Sequence, residues 1–333
     1  MRLLVTGASG MLGTYLVPEL LADGHQVTAL VHRTLPKADT VATVPGDVTK
    51  RWLGTSLSGI DAIVHTAGLV SFKSRDRDKL FQVNLTGTQH VAEIAELLKI
   101  PLFHISTAYV CGDYKGVFPT DRASLGQRHR NAYEQSKYAA EGALACFPKL
   151  RYTVIRPSVL VGDSQVKGIP PLMGMYAGLR GLYLGKRWLE RTLALPPLEP
   201  AFRLRADPTA TLNLIPVDVA ARQIADLVSQ RAHGTYHLVN QDPPRVSEVM
   251  AAAGRALGAR IELVTDLDPN PAERIVEKLM EDLLPYLQGE PGFDTSNLAG
   301  LCSVRCSGLP PGFIEATCQR FLFSYKNGRA PEG

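Results

Sequence analysis

Short apolar runs alternate with stretches of helical periodicity along the first half of the chain. The runs are rich in Val, Ile and Leu and cover residues 3–5, 27–31, 62–64, 102–105 and 152–155. Between them, apolar positions recur with the period of a helix over residues 10–22, 80–98 and 132–147. Strands that alternate with helices form parallel sheets with right-handed crossovers, and continuous apolar strands are buried on both faces. The pattern therefore predicts an α/β fold with a Rossmann-type, doubly wound parallel sheet.

The pattern changes in the second half of the chain. Residues 163–212 are rich in Gly, Pro, Leu and Arg and show no clean period. Periodicity returns in segments that predict helices, or in one case a strand, at residues 214–228, 234–239 (the strand), 248–257 and 272–287. We therefore predict two domains, a Rossmann domain of residues 1–162 plus 213–240 and a smaller, mainly helical domain of residues 163–212 plus 241–333.

Composition and charge narrow the class of protein. Apolar residues make up 45% of the 333 positions and charged residues 20%, which excludes a disordered chain. The net charge is +4 without any long run of like charges, so we predict no nucleic-acid partner. Five cysteines at unrelated spacings are typical of a reducing compartment and predict no metal site. The chain opens on a strand without a leader and lacks a membrane-length apolar run, so we expect a cytoplasmic protein with no membrane partner.

A glycine-rich loop follows the first predicted strand. Gly7, Gly10 and Gly13 stand in a Gly-x-x-Gly-x-x-Gly spacing between that strand and a helix. The first glycine permits a tight turn, the second lets the backbone approach a pyrophosphate, and the third lets the helix pack close to the sheet. The pyrophosphate would lie on the helix N-terminus. The loop predicts dinucleotide binding, with cofactor contacts at Gly7, Ser9, Gly10, Met11 and Leu12.

The end of the second predicted strand bears on the choice of nucleotide. NAD sites usually place an acid about 20 residues beyond the glycine loop, where it binds the ribose 2′-hydroxyl. Here the strand ends in His32 and Arg33, and no carboxylate is present. A guanidinium can bind a 2′-phosphate through two parallel hydrogen bonds. Arg33 therefore predicts NADP in preference to NAD.

Two short segments extend the predicted nucleotide site. Asp47 and Val48 follow the third strand, where the aspartate could accept a hydrogen bond from the adenine amino group. Thr66, Ala67 and Gly68 follow the fourth strand, where small residues let the backbone lie against the cofactor. Either segment alone is typical of a turn. Together they occupy the carboxyl ends of successive strands, the edge where open α/β sheets bind ligands.

Three residues form a candidate catalytic group. Tyr133 and Lys137 lie four positions apart on a predicted helix and share one face of it. An ammonium near a phenol favours the phenolate, so we expect Lys137 to lower the pKa of Tyr133 and make it an acid and base near neutrality. Thr107 ends the fifth predicted strand, where its hydroxyl could donate to a substrate carbonyl. Its neighbour Ser106 should point to the other face of the strand.

The motifs together resemble those of the extended short-chain dehydrogenase/reductase family. The resemblance rests on the glycine loop, the Ser-Thr-Ala-x-Val-x-Gly stretch that begins at Ser106, the Tyr133-x-x-x-Lys137 pair and Arg156-Pro157. Within this superfamily of NAD(P)-dependent epimerases and dehydratases, the chain is most similar to the branch of thioester reductases and fatty acyl reductases. The local sequences that carry this similarity are Gly46-Asp-Val-Thr, Val83-Asn-Leu-Thr-Gly-Thr88, His104-Ile-Ser-Thr-Ala-Tyr-Val, Asn131-Ala-Tyr-Glu-Gln-Ser-Lys137, Arg156-Pro-Ser-Val-Leu-Val-Gly-Asp-Ser164 and Phe293-Asp-Thr-Ser-Asn297.

The resemblance implies a role for each residue of the candidate site. Thr107 would bind the substrate carbonyl, Tyr133 would donate the proton, and Lys137 would hold the nicotinamide ribose and tune Tyr133. The nicotinamide would lie beside Pro157, Ser158 and Val159, and Asn84 would support the site. The reaction implied is hydride transfer from NADPH to a carbonyl carbon. With a thioester, the first product would be a hemithioacetal that collapses to an aldehyde and a thiol.

Partners and alternative functions follow from the same comparison. Basic residues scattered through 163–212, one part of the predicted substrate domain, could bind a carrier-protein arm or a coenzyme A phosphate, although a solvated basic face explains them equally well. The resemblance favours a homodimer, while some members of the family are monomers. One alternative function is a nucleotide-sugar epimerase or dehydratase with tightly bound NAD(P). Another is a non-catalytic protein that senses NADP.

Overall fold

The apolar runs form strands in the computed structural model, which describes residues 1–36, 41–55, 57–168, 174–192 and 201–328. The strands of these ranges are β1 (Arg2–Thr6), β2 (Gln26–Val31), β3 (Ala42–Pro45), β4 (Ala62–His65), β5 (Leu102–Ile105), β6 (Val117–Phe118), β7 (Tyr152–Pro157), β8 (Val159–Val161), β9 (Ala201–Arg205), β10 (Leu214–Pro216), β11 (Gly234–Leu238), β12 (Arg260–Val264) and β13 (Gly292–Phe293). Each of the five predicted runs lies within one of them.

Helices occupy most of the chain between these strands. They are α1 (Met11–Ala22), α2 (Arg77–Leu80), α3 (Gly87–Leu98), α4 (Ala132–Leu144), α5 (Met175–Thr192), α6 (Val217–Ser229), α7 (Val246–Leu257), α8 (Pro271–Met280) and α9 (Phe313–Lys326). A π-helical turn, Phe81–Thr86, joins α2 to α3, so the single helix predicted over residues 80–98 contains a change of helical pitch.

The chain divides into two units of dense internal contact. Unit 1 comprises Met1–Ser158, Val217–Val239 and Pro291–Arg305, and unit 2 comprises Val159–Pro216, Asn240–Glu290 and Cys306–Gly333. The sequence pattern groups residues 291–305 with the helical domain, whereas in the structure they belong to unit 1. The reason is local, because β13 pairs with β6 and the backbone N–H of Ser303 donates to Asp226 on α6 at 2.7 Å.

Unit 1 contains a seven-stranded sheet in the order β3-β2-β1-β4-β5-β7-β11, with every neighbouring pair parallel. The order runs outward in both directions from β1, and right-handed crossovers then place helices on both faces. Helix α1 packs on α6, and α3 packs on α4. The buried side chains Val91 and Ala95 of α3 share a core with Leu4, Ile63 and Leu102 of the sheet. The predicted doubly wound α/β fold is confirmed.

Unit 2 is mainly helical and contains a helix that the sequence pattern did not predict. Its strands form two parallel pairs, β8 with β10 and β9 with β12. Helix α5 escaped prediction because glycines interrupt its apolar period and occupy the face toward α8. A Cβ added at Gly178, Gly181 or Gly185 would lie within 2.9 Å of α8 or of the turn that follows it. Residues 169–173 and 193–200 of the predicted substrate segment lie outside the described residues.

Candidate active site

The glycine loop lies between β1 and α1, as its spacing predicts. Gly7 has a φ of +73°, and a Cβ there would lie 2.6 Å from the backbone nitrogen of Ala67. Gly10 is the N-cap of α1 and supplies no side-chain hydrogen bond to the helix. Ser9 and Gly10 are exposed, and Met11 and Leu12 begin the helix. The loop therefore presents uncapped backbone N–H groups at a helix N-terminus, an arrangement that fits a phosphate group.

The segment after β4 packs directly against this loop. Ala67 N donates to the Thr6 hydroxyl at 3.2 Å, and the Thr66 hydroxyl donates to the Thr6 carbonyl oxygen at 2.7 Å. Gly68 follows, and a Cβ there would lie 3.5 Å from Lys137 Nζ. The structure thus brings residues 66–68 between the glycine loop and the candidate catalytic lysine.

The residues predicted to recognise the adenosine half lie at the ends of β2 and β3. Arg33 is exposed and makes no ion pair within the described ranges. The Asp47 carboxylate accepts from Thr49 N at 2.9 Å and from the Thr49 hydroxyl at 2.8 Å, and it lies 3.4 Å from His32 Nε2. Asp47 is therefore engaged locally, with part of its acceptor capacity remaining. Val48 is buried and its side chain faces Gly87, so only its backbone is placed to meet a ligand.

Thr107 and Tyr133 meet at the carboxyl end of β5. Thr107 begins a short 3-10 turn (Ala108–Cys111) and accepts a hydrogen bond from Tyr109 N at 3.3 Å. Tyr133 lies in the first turn of α4, which the Asn131 side chain caps by accepting from Glu134 N at 3.0 Å. The Thr107 hydroxyl and the Tyr133 phenol are hydrogen-bonded to each other. Two hydroxyl groups thus converge on one point at the ligand-binding edge of the sheet.

Lys137 lies one turn beyond Tyr133 on the same face of α4. Its side chain is 6% exposed, and Nζ donates to the carbonyl oxygen of Ile105 at 2.6 Å. Burial lowers the pKa of Lys137 to about 8, although the charge of Glu141 acts in the opposite direction. The ammonium is held in a fixed position beneath the candidate reaction centre.

The pKa of Tyr133 differs from the sequence-based expectation. Desolvation by the surrounding protein raises the pKa of the phenol to about 12, the hydrogen bond to Thr107 lowers it, and the charge of Glu134 raises it further. We expected Lys137 to lower the pKa of Tyr133, and this expectation is wrong. The physical reason is that burial destabilises the charged phenolate by more than the hydrogen bond from Thr107 stabilises it.

Asn84 joins the loop after β4 to α4. It is 1% exposed and lies in the π-helical turn. Its Oδ1 accepts from Leu69 N at 2.8 Å, and its Nδ2 donates to Leu69 O at 3.0 Å and to the Ser136 hydroxyl at 2.9 Å. Ser136 stands immediately before Lys137, so Asn84 links the segment after β4 to the turn of α4 that carries the candidate lysine.

The three residues predicted to lie beside the nicotinamide, at and just after the end of β7, belong to two different units. Pro157 and Ser158 belong to unit 1, and Ser158 N donates to Leu238 O at 3.0 Å. The Ser158 hydroxyl is buried and has no hydrogen-bond partner among the described residues. Val159 begins β8 in unit 2 and its N–H donates to Asn213 O at 3.2 Å. The orphaned Ser158 hydroxyl is consistent with a site that a ligand completes.

Sequence reasoning missed two features next to the catalytic group. The Phe72 ring lies edge-on to the ring of Tyr133, with 5.9 Å between the centroids. Glu141 and Arg156 form a buried ion pair with Nη2 and Oε2 2.8 Å apart. A lone aromatic residue in a polar loop gives no signal, whereas a glutamate four positions after Lys137 does indicate a side chain on the same helix face.

The residues that the structure describes contain neither a metal site nor a membrane-spanning helix. No group of three or more His, Cys, Asp or Glu side chains there could hold a metal ion. No helix of those ranges is both long and apolar enough to span a membrane.

Comparison with known proteins identifies relatives over part of the chain. The 3-beta-hydroxysteroid dehydrogenase of Mycolicibacterium neoaurum is 31% identical over 151 residues, which cover 42% of this chain and 41% of that protein. A 4-hydroxy-2-methyl-3-oxo-4-farnesyl-3,4-dihydroquinoline-1-oxide ketoreductase of Stigmatella aurantiaca is 30% identical over 202 residues, 58% of this chain and 60% of that protein. The chain spans about half the length of the curated relatives it matches.

Solved structures match the whole fold at low sequence identity. The terminal R domain from the myxalamid PKS-NRPS biosynthetic pathway has a TM-score of 0.73 and 23% identity, over 99% of this chain and 92% of that domain. The UDP-glucuronic acid 4-epimerase from Bacillus cereus in complex with NAD has a TM-score of 0.69 and 18% identity, over 98% and 100%. These matches establish the fold.

A family model adds the assignment that the relatives leave open. The model of the NAD dependent epimerase/dehydratase family matches residues 3–186, more than half of the 333 positions. That range contains the glycine loop, Thr107, Tyr133 and Lys137. The chain belongs to the NAD dependent epimerase/dehydratase family, the extended short-chain dehydrogenases and reductases.

Proposed function

We propose that the protein is an NADPH-dependent reductase of a ketone, an aldehyde or an acyl thioester. The observation that carries this proposal is the hydrogen bond between the Thr107 hydroxyl and the Tyr133 phenol at the carboxyl end of β5. A carbonyl oxygen placed between these two groups accepts a hydrogen bond from each. Donors fixed where negative charge develops stabilise a transition state strongly.

Tyr133 is suited to give up a proton to the product oxygen. With a pKa of about 12, the phenol is fully protonated at neutral pH. It donates its proton as the substrate oxygen gains negative charge, while Thr107 holds that oxygen in place. With a thioester the resulting hemithioacetal breaks its C–S bond and leaves as an aldehyde and a thiol. The protonated phenol is the form of Tyr133 that can donate a proton in the reductive direction.

The nucleotide that the family uses supplies the hydride, and this chain's residues fit its recognition. The uncapped N-terminus of α1 would bind the pyrophosphate, because Gly10 leaves the first-turn N–H groups without a side-chain acceptor. Lys137 would hold the nicotinamide ribose. The exposed Arg33 would bind a 2′-phosphate, which supports NADP over NAD.

The relatives support a carbonyl substrate. One is named a ketoreductase and another, from a Synechocystis strain, a putative dihydroflavonol 4-reductase, 28% identical over 177 residues. A hybrid PKS-NRPS synthetase named pydA, from an Acremonium species, is 28% identical over 208 residues that cover 5% of it. These names motivate a screen of ketones, aldehydes and thioesters linked to coenzyme A or a carrier protein.

The test is NADPH oxidation by the full chain over that panel, with wild type, Tyr133→Phe and a control, Tyr138→Phe. Tyr138 lies on the same helix, and its ring contacts the ring of His129, with 4.7 Å between the two centroids. We expect turnover of at least one carbonyl class, at least a hundredfold slower in Tyr133→Phe and nearly unchanged in Tyr138→Phe. Turnover that survives in Tyr133→Phe would refute the assigned proton donor. If nothing on the panel is reduced while nucleotide sugars are converted without net cofactor consumption, the protein is an epimerase or dehydratase.

A further inference from the structure

A buried ion pair lies one helical turn past Lys137. Arg156 is 2% exposed and Glu141 is 7% exposed. Arg156 Nε donates to Glu141 Oε1 at 3.0 Å and Nη2 donates to Oε2 at 2.8 Å, so the carboxylate is held by both arms of the guanidinium. Such a two-point contact fixes the direction of both side chains.

The ion pair and Lys137 attach α4 to two neighbouring strands. Lys137 Nζ bonds to the carbonyl oxygen of Ile105 on β5, and Glu141 bonds to Arg156 on β7. These strands are adjacent, with Ile105 paired to Ile155. Two consecutive turns of α4 are therefore anchored side by side on the sheet, and the position of the lysine depends on both anchors.

Charge links the three groups as well as geometry. The Lys137 ammonium and the Arg156 guanidinium are both buried, and the Glu141 carboxylate is the negative charge that acts on Lys137. The other nearby carboxylate on the helix, Glu134, is bound to Arg130 with Nη1 and Oε1 3.2 Å apart.

The titratable groups that face this cluster from the sheet are histidines. His65 on β4, His104 on β5 and His237 on β11 all have a lowered pKa, with burial as the largest cause. They are neutral near pH 7 and therefore add no positive charge to the cluster, which leaves Glu141 as the charge that acts on Lys137. His237 Nε2 also lies 3.2 Å from Arg156 Nη1, which a protonated ring could not tolerate.

We propose that Glu141 is a positioning residue for Lys137. It anchors the next turn of α4 to Arg156 and places a buried negative charge one helical turn from the lysine. The catalytic relevance of this role rests on the function proposed above, whereas the physical coupling does not. A purely structural ion pair is the competing explanation. Buried ion pairs are weak evidence for stability on their own, so the test has to measure Lys137 itself.

The decisive experiment is an NMR titration of the cofactor-free full chain with 13C-labelled lysine, in which the Lys137 signal is assigned by its loss in Lys137→Met. We expect the pKa of Lys137 to fall by about one pH unit or more in Glu141→Gln, a tenfold fall in the ratio of charged to neutral lysine at a given pH. Glu141→Asp keeps the charge and should restore the titration to near its wild-type position.

A matched control is Glu273→Gln in unit 2. Glu273 is also buried and also binds an arginine at two points, with Arg203 Nε and Nη2 at 2.7 and 2.8 Å from its oxygens. This substitution should leave the Lys137 titration unchanged. If Glu141→Gln does not fold because Arg156 is left unpaired, the double variant Glu141→Gln, Arg156→Gln replaces it, with a smaller fall expected because the positive charge of Arg156 is removed as well.

Two results would overturn the proposal. One is a folded Glu141→Gln protein, or the double variant, in which Lys137 titrates as in wild type. The other is failure of both variants to fold, which would assign the pair to stability alone. Because no substrate enters this titration, a positive result stands even where no reductase activity is found. The pH dependence of NADPH binding then shows whether Glu141 also affects the cofactor site. As the pH rises, the affinity of Glu141→Gln for NADPH should begin to fall at a lower pH than that of wild type.

Discussion

Lys137 Nζ donates a 2.6 Å hydrogen bond to the carbonyl oxygen of Ile105, the last residue of β5. Thr107 follows two positions after Ile105. The same stretch of backbone therefore carries one candidate catalytic group and binds the other. The arrangement places an ammonium in a buried position, where water cannot compensate its charge. Both the function proposed for this site and its stability should therefore depend on pH.

The first prediction concerns stability. Burial lowers the pKa of Lys137 from 10.5 to about 8 in the folded protein. Below pH 8 the ammonium is charged in both states, and the full cost of burying it applies. Between pH 8 and 10.5 the unfolded chain binds a proton that the folded chain has released, so stability rises with pH. The free energy of unfolding of wild type, relative to Lys137→Met, should increase by on the order of 3 kcal/mol across this window.

Chemical denaturation at several pH values measures this difference. Lys149→Met removes an exposed lysine and serves as the control, with a pH dependence equal to that of wild type. A difference between wild type and Lys137→Met that stays flat from pH 8 to 10.5 would contradict the buried, charged lysine.

The second prediction concerns Thr107. Thr107→Val removes the hydroxyl that meets Tyr133 and keeps the side-chain shape, so kcat of the carbonyl reduction should fall by about 10²–10³. Thr107→Ser keeps the hydroxyl and should retain most of the activity. Steady-state kinetics on the best substrate of the panel measures both. Equal activity in Thr107→Val and wild type would remove Thr107 from the site.

The third prediction concerns the glycine loop. A Cβ at Gly13 would lie 2.6 Å from the Ala8 Cα and would collide with the Gly7 carbonyl oxygen. Gly13→Ala should therefore destabilise the protein by about 1–3 kcal/mol and weaken NADPH binding. Gly142→Ala, on the exposed side of α4 with open space around it, should instead stabilise by about 0.5–1 kcal/mol. Thermal unfolding and cofactor titration compare the two, and equal behaviour would show that Gly13 has no packing role.

The fourth prediction concerns Asn84. Asn84→Ala leaves Leu69 and the Ser136 hydroxyl without their buried partner, so we expect a loss of about 1–3 kcal/mol in unfolding free energy together with slower turnover. Asn297→Ala is the control, because Asn297 is exposed and its Nδ2 makes a bond to Thr235 O. Its cost should stay below about 1 kcal/mol. A fully active, fully stable Asn84→Ala protein would contradict the supporting role.

Much of the candidate site was predictable because its residues sit on regular elements. Tyr133 and Lys137 are four positions apart on a helix, which places them on one face whatever the tertiary structure. Thr107 and Gly68 follow strands of one parallel sheet, so both were expected at the same edge. The glycine loop carries its own conformational signal, since Gly7 adopts a positive φ at the turn.

Other features depend on tertiary packing and left no pattern to read. The contact of Phe72 with Tyr133 depends on how a loop folds back, and the partner of Glu141 is set by the placement of β7 beside β5. The raised pKa of Tyr133 results from burial by the surrounding protein, and the spacing of residues along the sequence does not indicate how deeply a side chain is buried. Helix α5 was missed because the positions that face α8 are glycines, including Gly181, where close packing leaves no room for the apolar side chains that mark a helix in sequence.

The most direct test of the central claim is a fluorescence titration of the protein with NADPH and NADH, using wild type, Arg33→Ala and Arg151→Ala. Arg151 is an exposed arginine that precedes β7, at the opposite edge of the sheet, and controls for the loss of a positive charge. We predict that wild type and Arg151→Ala bind NADPH at least tenfold more tightly than NADH, on the order of 1.4 kcal/mol, and that Arg33→Ala loses this preference. Equal binding of the two nucleotides by wild type, or an NAD that co-purifies and does not exchange, would contradict the NADPH-dependent reductase and favour an epimerase or dehydratase.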